Sequence, residues 1–572
     1  MTKTSTGRVV DLREIASCDV IVVGSGGGGL SAAVSAALKG LKVVVLEKSR
    51  YYGGITAISG GGLWIPNHGQ SGVADRDEDA FEYMRQCTGT RCNPERIQAF
   101  LRNAPKMIKF LAEHGAYAGS VIPKRPDYHP HLPGSRPERL LTAVEFDGRL
   151  LGAEIARLRP PARVLTFLGM MIKPGPDLQH FFNVFRSFKS AAFVAHRLSR
   201  YARDLLWHGR GLDLLAGNAL IGRLAHVAFE RGVVIQTSVT VKSLQTAQGR
   251  VTGVVFEDAG GSGVLTARRG VVLACGGFSH DLARRSRVYL HAPTGREHWS
   301  PAPETNTGDG LNMGEAIGAR FNNDLSNGAG WCPVSLVPQK RGAPLVFPHL
   351  IDRQKPGIIS VTAEGRRFTN EANSYHEFGE GFIQACRGQP VATAFVLADH
   401  RAIRRYGLGF AKPAPVPLFP YLRSGYLIRG ATRRELAQRA GMDPDQLEQT
   451  VEEFNRNARL GLDPLFHRGE SSINKFLGDS SHRPNESLAP LDQGPFYAVK
   501  MHMGELGTFA GLDTDAYGRV LDQTGTPIVG LYASGNDVAN VMAGGYVASG
   551  STLGVGMTWG YIAACHLAGE NG

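Results

Sequence analysis

The sequence is poor in cross-linking and metal-binding chemistry. Its 572 residues hold seven cysteines, Cys18, Cys87, Cys92, Cys275, Cys332, Cys386 and Cys565, with no CxxC pair, no zinc spacing and no CxxCH haem site. A reducing cytoplasm is the simplest compartment for these thiols. His129 and His131 stand two apart without acidic partners, so no metal is expected. No run of about 18 apolar residues is present, which removes a membrane-spanning helix. The opening MTKTSTGRVVDLREIAS lacks the apolar core of a secretory signal. Repeats and low-complexity tracts are missing too.

Lysine and arginine exceed aspartate and glutamate by 63 − 51 = 12, but the charges are scattered, and no dense basic face for nucleic acid is legible. The exception is a stretch carrying Lys173, Lys189, Arg197, Arg200, Arg203 and Arg210 among Phe181, Phe182, Phe185, Phe188 and Phe193. It reads as a solvated amphipathic helix, with peripheral contact to a membrane surface as the alternative.

What the chain has in quantity is glycine, 72 residues, in a length that allows two to four domains. CDVIVVGSGGGGLSAAVSAALKGLKVVVLEK reads as a complete βαβ unit: an apolar β-branched strand, a glycine turn, an alanine-rich helix and a second strand ending at Glu47. Gly24, Gly26 and Gly29 hold the GxGxxG positions. The first permits the tight turn, the second lets a pyrophosphate approach the backbone, and the third lets helix and strand pack closely. The pyrophosphate then lies on the helix N-terminus, and Glu47 is placed to accept a ribose hydroxyl. Helical patterns follow in DEDAFEYMRQC and PERIQAFLRNAPKMIKFLAEHG, then a proline-rich loop, PKRPDYHPHLPGSRP. Strand-rich runs return near RGVVLACGGF. The texture changes between about 335 and 505, and PIVGLYASGNDVAN and STLGVGMTWGYIAACHLAGENG supply a last strand and helix. The expected fold is α/β: a Rossmann-like dinucleotide-binding domain from residues 1–334 and 506–572, with a helical insertion at about 150–210 and an inserted α+β substrate-capping domain at 335–505.

Together with RYYGGITAISGGGLWIPN, RGVVLACGGF, NTGDGLNMGEAIGA, EGRRFTNEANSYHEF and GLYASGN, the βαβ unit makes the sequence resemble the FAD-dependent fumarate reductase and succinate dehydrogenase flavoprotein superfamily. The resemblance covers nearly the whole chain outside about 150–210 and the N-terminal tail. It implies FAD held by Gly24, Ser25, Gly26, Gly28 and Gly29, by Glu47, Lys48 and Ser49, and by Gly53, Gly54, Thr56, Ala57, Ser59, Gly60 and Gly61. From later blocks it adds Val239, Ala274, Gly276, Asp309, Gly535, Asn536, Ser551 and Leu553. Some members attach FAD through a histidine where this chain reads AISGGG, so noncovalent FAD is implied. Asn536 stands where many relatives carry glutamate.

Fumarate-type members place a cation soon after the NE of their RFxNE block, but here RRFTNEANSYHEF offers Tyr375. A site without fixed cations is poor at desolvating a dicarboxylate. Instead, three separated motifs are similar to the 3-ketosteroid dehydrogenase branch, above all its Δ1 members: Tyr546 with Gly550, Tyr375, and Tyr128 in PDYHPHLPGSRP. The resemblance implies a bulky apolar ketone as substrate and a quinone-like electron acceptor. A 3-oxo-5α-steroid 4-dehydrogenase, or a fumarate-reductase-like flavoprotein acting on another bulky ketone or enone, stays as the alternative.

Phenols suit this task. Desaturation beside a ketone requires a proton taken alpha to the carbonyl, a hydride taken from the next carbon, and a resting place for enolate charge. The resemblance implies that Tyr546 and the Gly550 N–H hold the ketone oxygen, that Tyr375 takes the proton and that Tyr128 supports it. A free phenol has a pKa of about 10, so Tyr375 needs an environment that lowers it or a relay through Tyr128. The sequence names no cation for this role.

Overall fold

A computed structural model of the chain describes residues 11–570 except 16 and 174. Strand β1 (Cys18–Val23), helix α1 (Gly27–Leu38) and strand β2 (Val43–Glu47) form the βαβ unit at the centre of an eight-stranded sheet. Both strands are buried almost throughout, as expected of apolar runs in a parallel sheet covered on two faces. The sheet runs in the order Val234–Thr237, β2, β1, Gly261–Leu273, Arg250–Asp258, Pro527–Ala533 and Arg519–Leu521, with Thr240–Ala247 paired to Arg250–Asp258. Val23 is in register with Leu273, and Leu273 with Ala533, so the ends of three strands from distant parts of the sequence meet at one edge. Ligands of open α/β sheets bind outside such carboxyl ends.

The C-terminal helix Ser551–Leu567 lies against α1 at a crossing only small residues allow. A Cβ at Gly560 would fall 2.2 Å from the Gly28 oxygen, and one at Gly28 would fall 2.5 Å from Ser534 Oγ. The glycines and alanines of both helices therefore serve backbone approach.

A second, six-stranded sheet has the order Leu345–Pro348, Ala329–Val337, Phe496–Thr508, Thr393–Ala398 and Ile358–Thr362, with Ile428–Gly430 on Phe496–Thr508. The boundaries expected at 335 and 505 fall inside Ala329–Val337 and Phe496–Thr508, two strands that pair with each other. This sheet starts and ends a few residues outside them. Between the βαβ unit and the return to the first sheet lie the 3-10 stretch Gly148–Arg157, a short hairpin of Thr166–Phe167 and Met170–Met171, and the helices Pro176–Phe182 and Phe188–His208. Among the described residues no helix is long and apolar enough to cross a membrane.

Candidate active site

The glycine loop is shaped for a ligand. Gly24 takes φ 106°, and a Cβ there would lie 2.1 Å from the Ala274 oxygen; one at Gly29 would lie 2.1 Å from the Gly24 oxygen. At Gly26 the nearest atom to an added Cβ is Thr56 Oγ1 at 4.0 Å, so this backbone faces open space. Gly26 is also the N-cap of α1, and no side chain caps it. Gly27 N–H donates to Thr56 Oγ1 at 3.0 Å, and the following amides of the first turn have no partner within the helix. A positive helix end that opens on a cavity, with Gly27 N–H alone taken by Thr56 and no side chain at the N-cap, fits a pyrophosphate.

That cavity, of about 540 Å³, extends from the glycine loop to the tyrosine motifs. Gly24, Ser25, Gly26, Gly28 and Gly29 line it at one end beside Glu47 and Lys48. Gly54, Thr56, Ser59, Gly60 and Gly61 continue the wall; Val239, Ala274, Gly276, Asp309, Gly535, Asn536 and Leu553 complete it from the later strands and helices. Glu47 accepts from Ser25 N–H at 3.1 Å and Ser25 O–H at 2.5 Å with one oxygen, and from Ser49 N–H at 2.8 Å with the other. Its carboxylate thus braces the loop as well as facing the cavity. Lys48 donates to Asp309 at 2.8 Å and Thr307 at 2.7 Å.

Four residues expected at the cofactor stand behind the wall instead. Ser49 is turned to Glu47 and to Arg159 Nη2. Gly53 makes the turn, at φ 113°, and gives its N–H to Ser25 Oγ. Ala57 is buried and accepts from Asn218 through its carbonyl. Ser551 opens the C-terminal helix fully buried, its N–H on Ala548. They shape the wall without reaching the cavity. Several lining residues had no place in the sequence-based set: Gly27, Asn306, Arg125, Ser549 and Thr552. Gly27 lay inside the quoted glycine run, while Asn306 is identified only by its bond to the Gly276 oxygen. Asp537, beside Asn536, accepts from Cys275 and Gly277 N–H and pins that loop to the C-terminal turn; burial lifts its pKa to about 6.

At the other end Tyr128, Tyr375 and Tyr546 meet, from positions hundreds of residues apart. Tyr375 O–H donates to Tyr546 Oη at 2.8 Å, and the ring centroids are 5.2 Å apart. Tyr128 packs its ring 5.9 Å from Tyr375 and 6.0 Å from Tyr546. All three are buried. Burial pushes the Tyr375 hydroxyl well above the ordinary phenol range, with Tyr128 and Tyr546 adding to it, and burial raises Tyr546 as well. Both are neutral hydroxyls at physiological pH. Gly550 takes φ 81°, and a Cβ there would strike Gly62 at 2.6 Å, so only glycine sits beside Tyr546 at this helix start.

The supports are specific. Tyr375 begins the helix Tyr375–Ala385 behind a Ser374–Glu377 capping box. Arg353 donates to the carbonyls of Glu371 and Asn373 just upstream. The Tyr128 loop is tied by Tyr128 N–H to the Val547 oxygen, and by Asp127, which accepts from Trp64 Nε1 and from the buried Arg139. Within the same loop Arg125 Nη2 donates to Ser549 Oγ at 2.7 Å, and Ser549 Oγ is 2.5 Å from Tyr128 Oη. His129 lies 3.7 Å from Glu377, and among the described residues no group of three or more His, Cys, Asp or Glu is arranged to hold a metal.

The FAD binding domain family matches residues 19–553. Over 97% of this chain and 95% of the relative, the sequence is 39% identical to a 4-oxocyclohex-2-ene-1-carboxylate 5-dehydrogenase of Sinomonas cyclohexanicum. A 3-oxosteroid 1-dehydrogenase of Mycobacterium tuberculosis is 37% identical over 97% of this chain and 99% of its own. The crystal structure of 3-ketosteroid Δ1-dehydrogenase from Sterolibacterium denitrificans, in complex with 1,4-androstadiene-3,17-dione, superposes with a TM-score of 0.87 at 36% identity, covering 97% of this chain and 99% of that one. Glycine cradle, open helix end and full-length relatives agree: the chain belongs to the FAD binding domain family, in the ketosteroid dehydrogenase branch of the flavoprotein oxidoreductases.

Proposed function

We propose that the protein is an FAD-dependent 3-oxosteroid 1-dehydrogenase that introduces a double bond beside a ring ketone during steroid breakdown. The observation that carries this reading is the Tyr375–Tyr546 hydroxyl pair facing a cavity that runs to the glycine cradle. FAD, when bound, supplies the acceptor for a hydride. Tyr546 O–H and the Gly550 N–H hold the ketone oxygen and take the charge that develops there. Tyr375, once it has given up its own proton, accepts the proton from the adjacent carbon, with Tyr128 behind it. The walls contributed by Leu345, Val346, Pro348, Leu350, Leu477 and Leu506 are apolar and suit a hydrocarbon ring system. In this reading the sheet from Ala329 to Thr508 caps the substrate.

The FAD-loaded protein, mixed anaerobically with a 4-ene-3-ketosteroid, should bleach its flavin and release a 1,4-diene. A saturated 5α-ketone returned as the 4-ene would mean the Δ4 reaction instead. A second reading has an observation of its own: Arg125 lines the cavity, and among the described residues it pairs with no carboxylate. A small cyclic ketone bearing a carboxylate, as in the name of the Sinomonas relative, is the matching substrate. Flavin left oxidised by every steroid and by 4-oxocyclohex-2-ene-1-carboxylate would sink both.

We further propose that electrons leave to a lipid-soluble quinone from a cytoplasmic protein resting on the membrane surface. The support is the Phe188–His208 helix and its approach, where Phe185, Phe188, Leu206 and Trp207 are 85%, 91%, 85% and 78% exposed. Arg186, Lys189 and Arg203 stand exposed among them.

A further inference from the structure

Buried phenols make poor bases, and the Tyr128–Tyr375 pair lacks the adjacent histidine or carboxylate that would activate it. We propose that Arg125, acting through Ser549, is a positioning residue that holds negative charge on this pair while the proton leaves the substrate. The inference rests on the reading of Tyr375 as the base.

The geometry carries it. An arginine side chain has N–H donors and no acceptor, so the 2.7 Å contact from Arg125 Nη2 must end on a lone pair of Ser549 Oγ. The hydroxyl proton of Ser549 is then free for Tyr128 Oη, 2.5 Å away. With Ser549 donating, Tyr128 accepts at this contact, and once ionised its oxygen carries charge two hydrogen bonds from a permanent cation. The guanidinium has no ion pair among the described residues; it rests over the Phe476 ring at 5.5 Å. Arg125 and Tyr128 share one loop, tied down by Asp127 and Arg139, so the arm is fixed relative to the phenol.

Of the other groups around the pair, Arg353 is a second cation facing Tyr128. Its Nε and Nη1 are engaged with the carbonyls of His349, Glu371 and Asn373, and its buried Nη2 has no partner among the described residues. It adds to the field of Arg125 without a hydrogen-bonded link to the phenol. The remaining groups are paired or neutral. Asp352 is paired with His349, and His129 with Glu377. Burial holds His376 at about 4, uncharged, and raises the Cys332 thiol. Tyr546 is the donor toward the ketone. In the step itself the carbon–hydrogen bond breaks and an O–H bond forms on the ionised Tyr375. The electron pair passes into the enolate held by Tyr546 and Gly550. The proton that Tyr375 lost beforehand has left past Tyr128 to water at the half-buried Ser549 end.

The test is the pH dependence of flavin reduction in the anaerobic half-reaction, using whichever ring ketone bleaches the wild-type holoenzyme. Arg125→Met should move the rising limb of the rate profile to higher pH by about one unit, which is about tenfold in rate at neutral pH, with the rate recovering in alkali. Ketone affinity should change little. Ser549→Ala should shift the limb the same way, and Arg125→Lys should restore most of it. An unmoved profile in Arg125→Met overturns the proposal, and so does a loss confined to the affinity of a carboxylate-bearing ketone, which would make Arg125 a substrate anchor. Should Arg125→Met fail to load FAD, Ser549→Ala decides alone: an unmoved profile overturns the arm. Tyr375→Phe separates the levels. Full reduction in that variant sinks the base assignment and the arm together, whereas its loss beside an unmoved Arg125→Met profile sinks the arm only.

Discussion

A tyrosine among glycines is an unusual place for a large side chain, and at Tyr546 the reason we propose is chemical. Its ring packs against Tyr128, Tyr375, His376 and Phe509, while its hydroxyl meets Tyr375. Removing that hydroxyl deletes one of two donors proposed for the ketone oxygen. Tyr546→Phe should therefore slow flavin reduction by about 10²–10³-fold, the cost of losing one oxyanion donor, without loss of bound FAD. Loss of FAD from that variant would show a structural role instead. The tyrosines were legible in the sequence because each sits in a short motif of its own. The Arg125–Ser549 contact was not, since it joins positions 424 apart and both residues are ordinary in their local surroundings. Ser49, Gly53, Ala57 and Ser551 show the reverse limit. A motif says which segment meets a ligand, but which of its residues face the cavity depends on the turn.

At the scale of one element, the helix that starts at Tyr375 depends on charges packed beneath its approach. Glu371 is fully buried between Arg367 and Arg468, and Arg367 also pairs with Asp463. Burial alone would raise the Glu371 carboxyl, but the two arginines outweigh it and hold it at about 2. Its folded value lies below the ordinary glutamate value of 4.5, so its contribution is complete above that pH and is lost as pH falls toward about 2. Glu371→Gln leaves two guanidiniums facing each other without their shared anion. That should cost about 3–5 kcal/mol, read as a lower urea midpoint at neutral pH, with the gap to wild type closing in acid. An equal gap at pH 7 and pH 3 would remove this cluster from the account. The RRFTNE block was legible as a motif, and Arg367 and Glu371 stand four apart within it. Their partners Asp463 and Arg468 come from a loop about a hundred residues on, and no local pattern announces them.

For the molecule as a whole, the fold was legible wherever residues carry a period or a fixed spacing, and the insertion was not, because amphipathicity alone does not say what covers a face. In the structure the Phe188–His208 helix buries Val194 and pins Arg197 and Arg200 on Asp213, yet Phe188, Leu206 and Trp207 stay outside. Holding aromatic rings in water beside cations has a cost that contact with anionic lipid would remove, since apolar side chains enter the headgroup boundary while each Lys or Arg gains about 1 kcal/mol near the surface. The holoenzyme should therefore cosediment with vesicles of mixed neutral and anionic lipid, less so at high salt and little with neutral vesicles. A Phe188→Ser and Trp207→Ser double variant should lose that binding while flavin content and the rate of reduction by ketone stay unchanged, because neither side chain lines the cavity. Wild-type protein that remains in the supernatant with anionic vesicles would overturn the membrane reading. It would leave the chemistry intact, since the tyrosines and the glycine cradle belong to a different part of the fold.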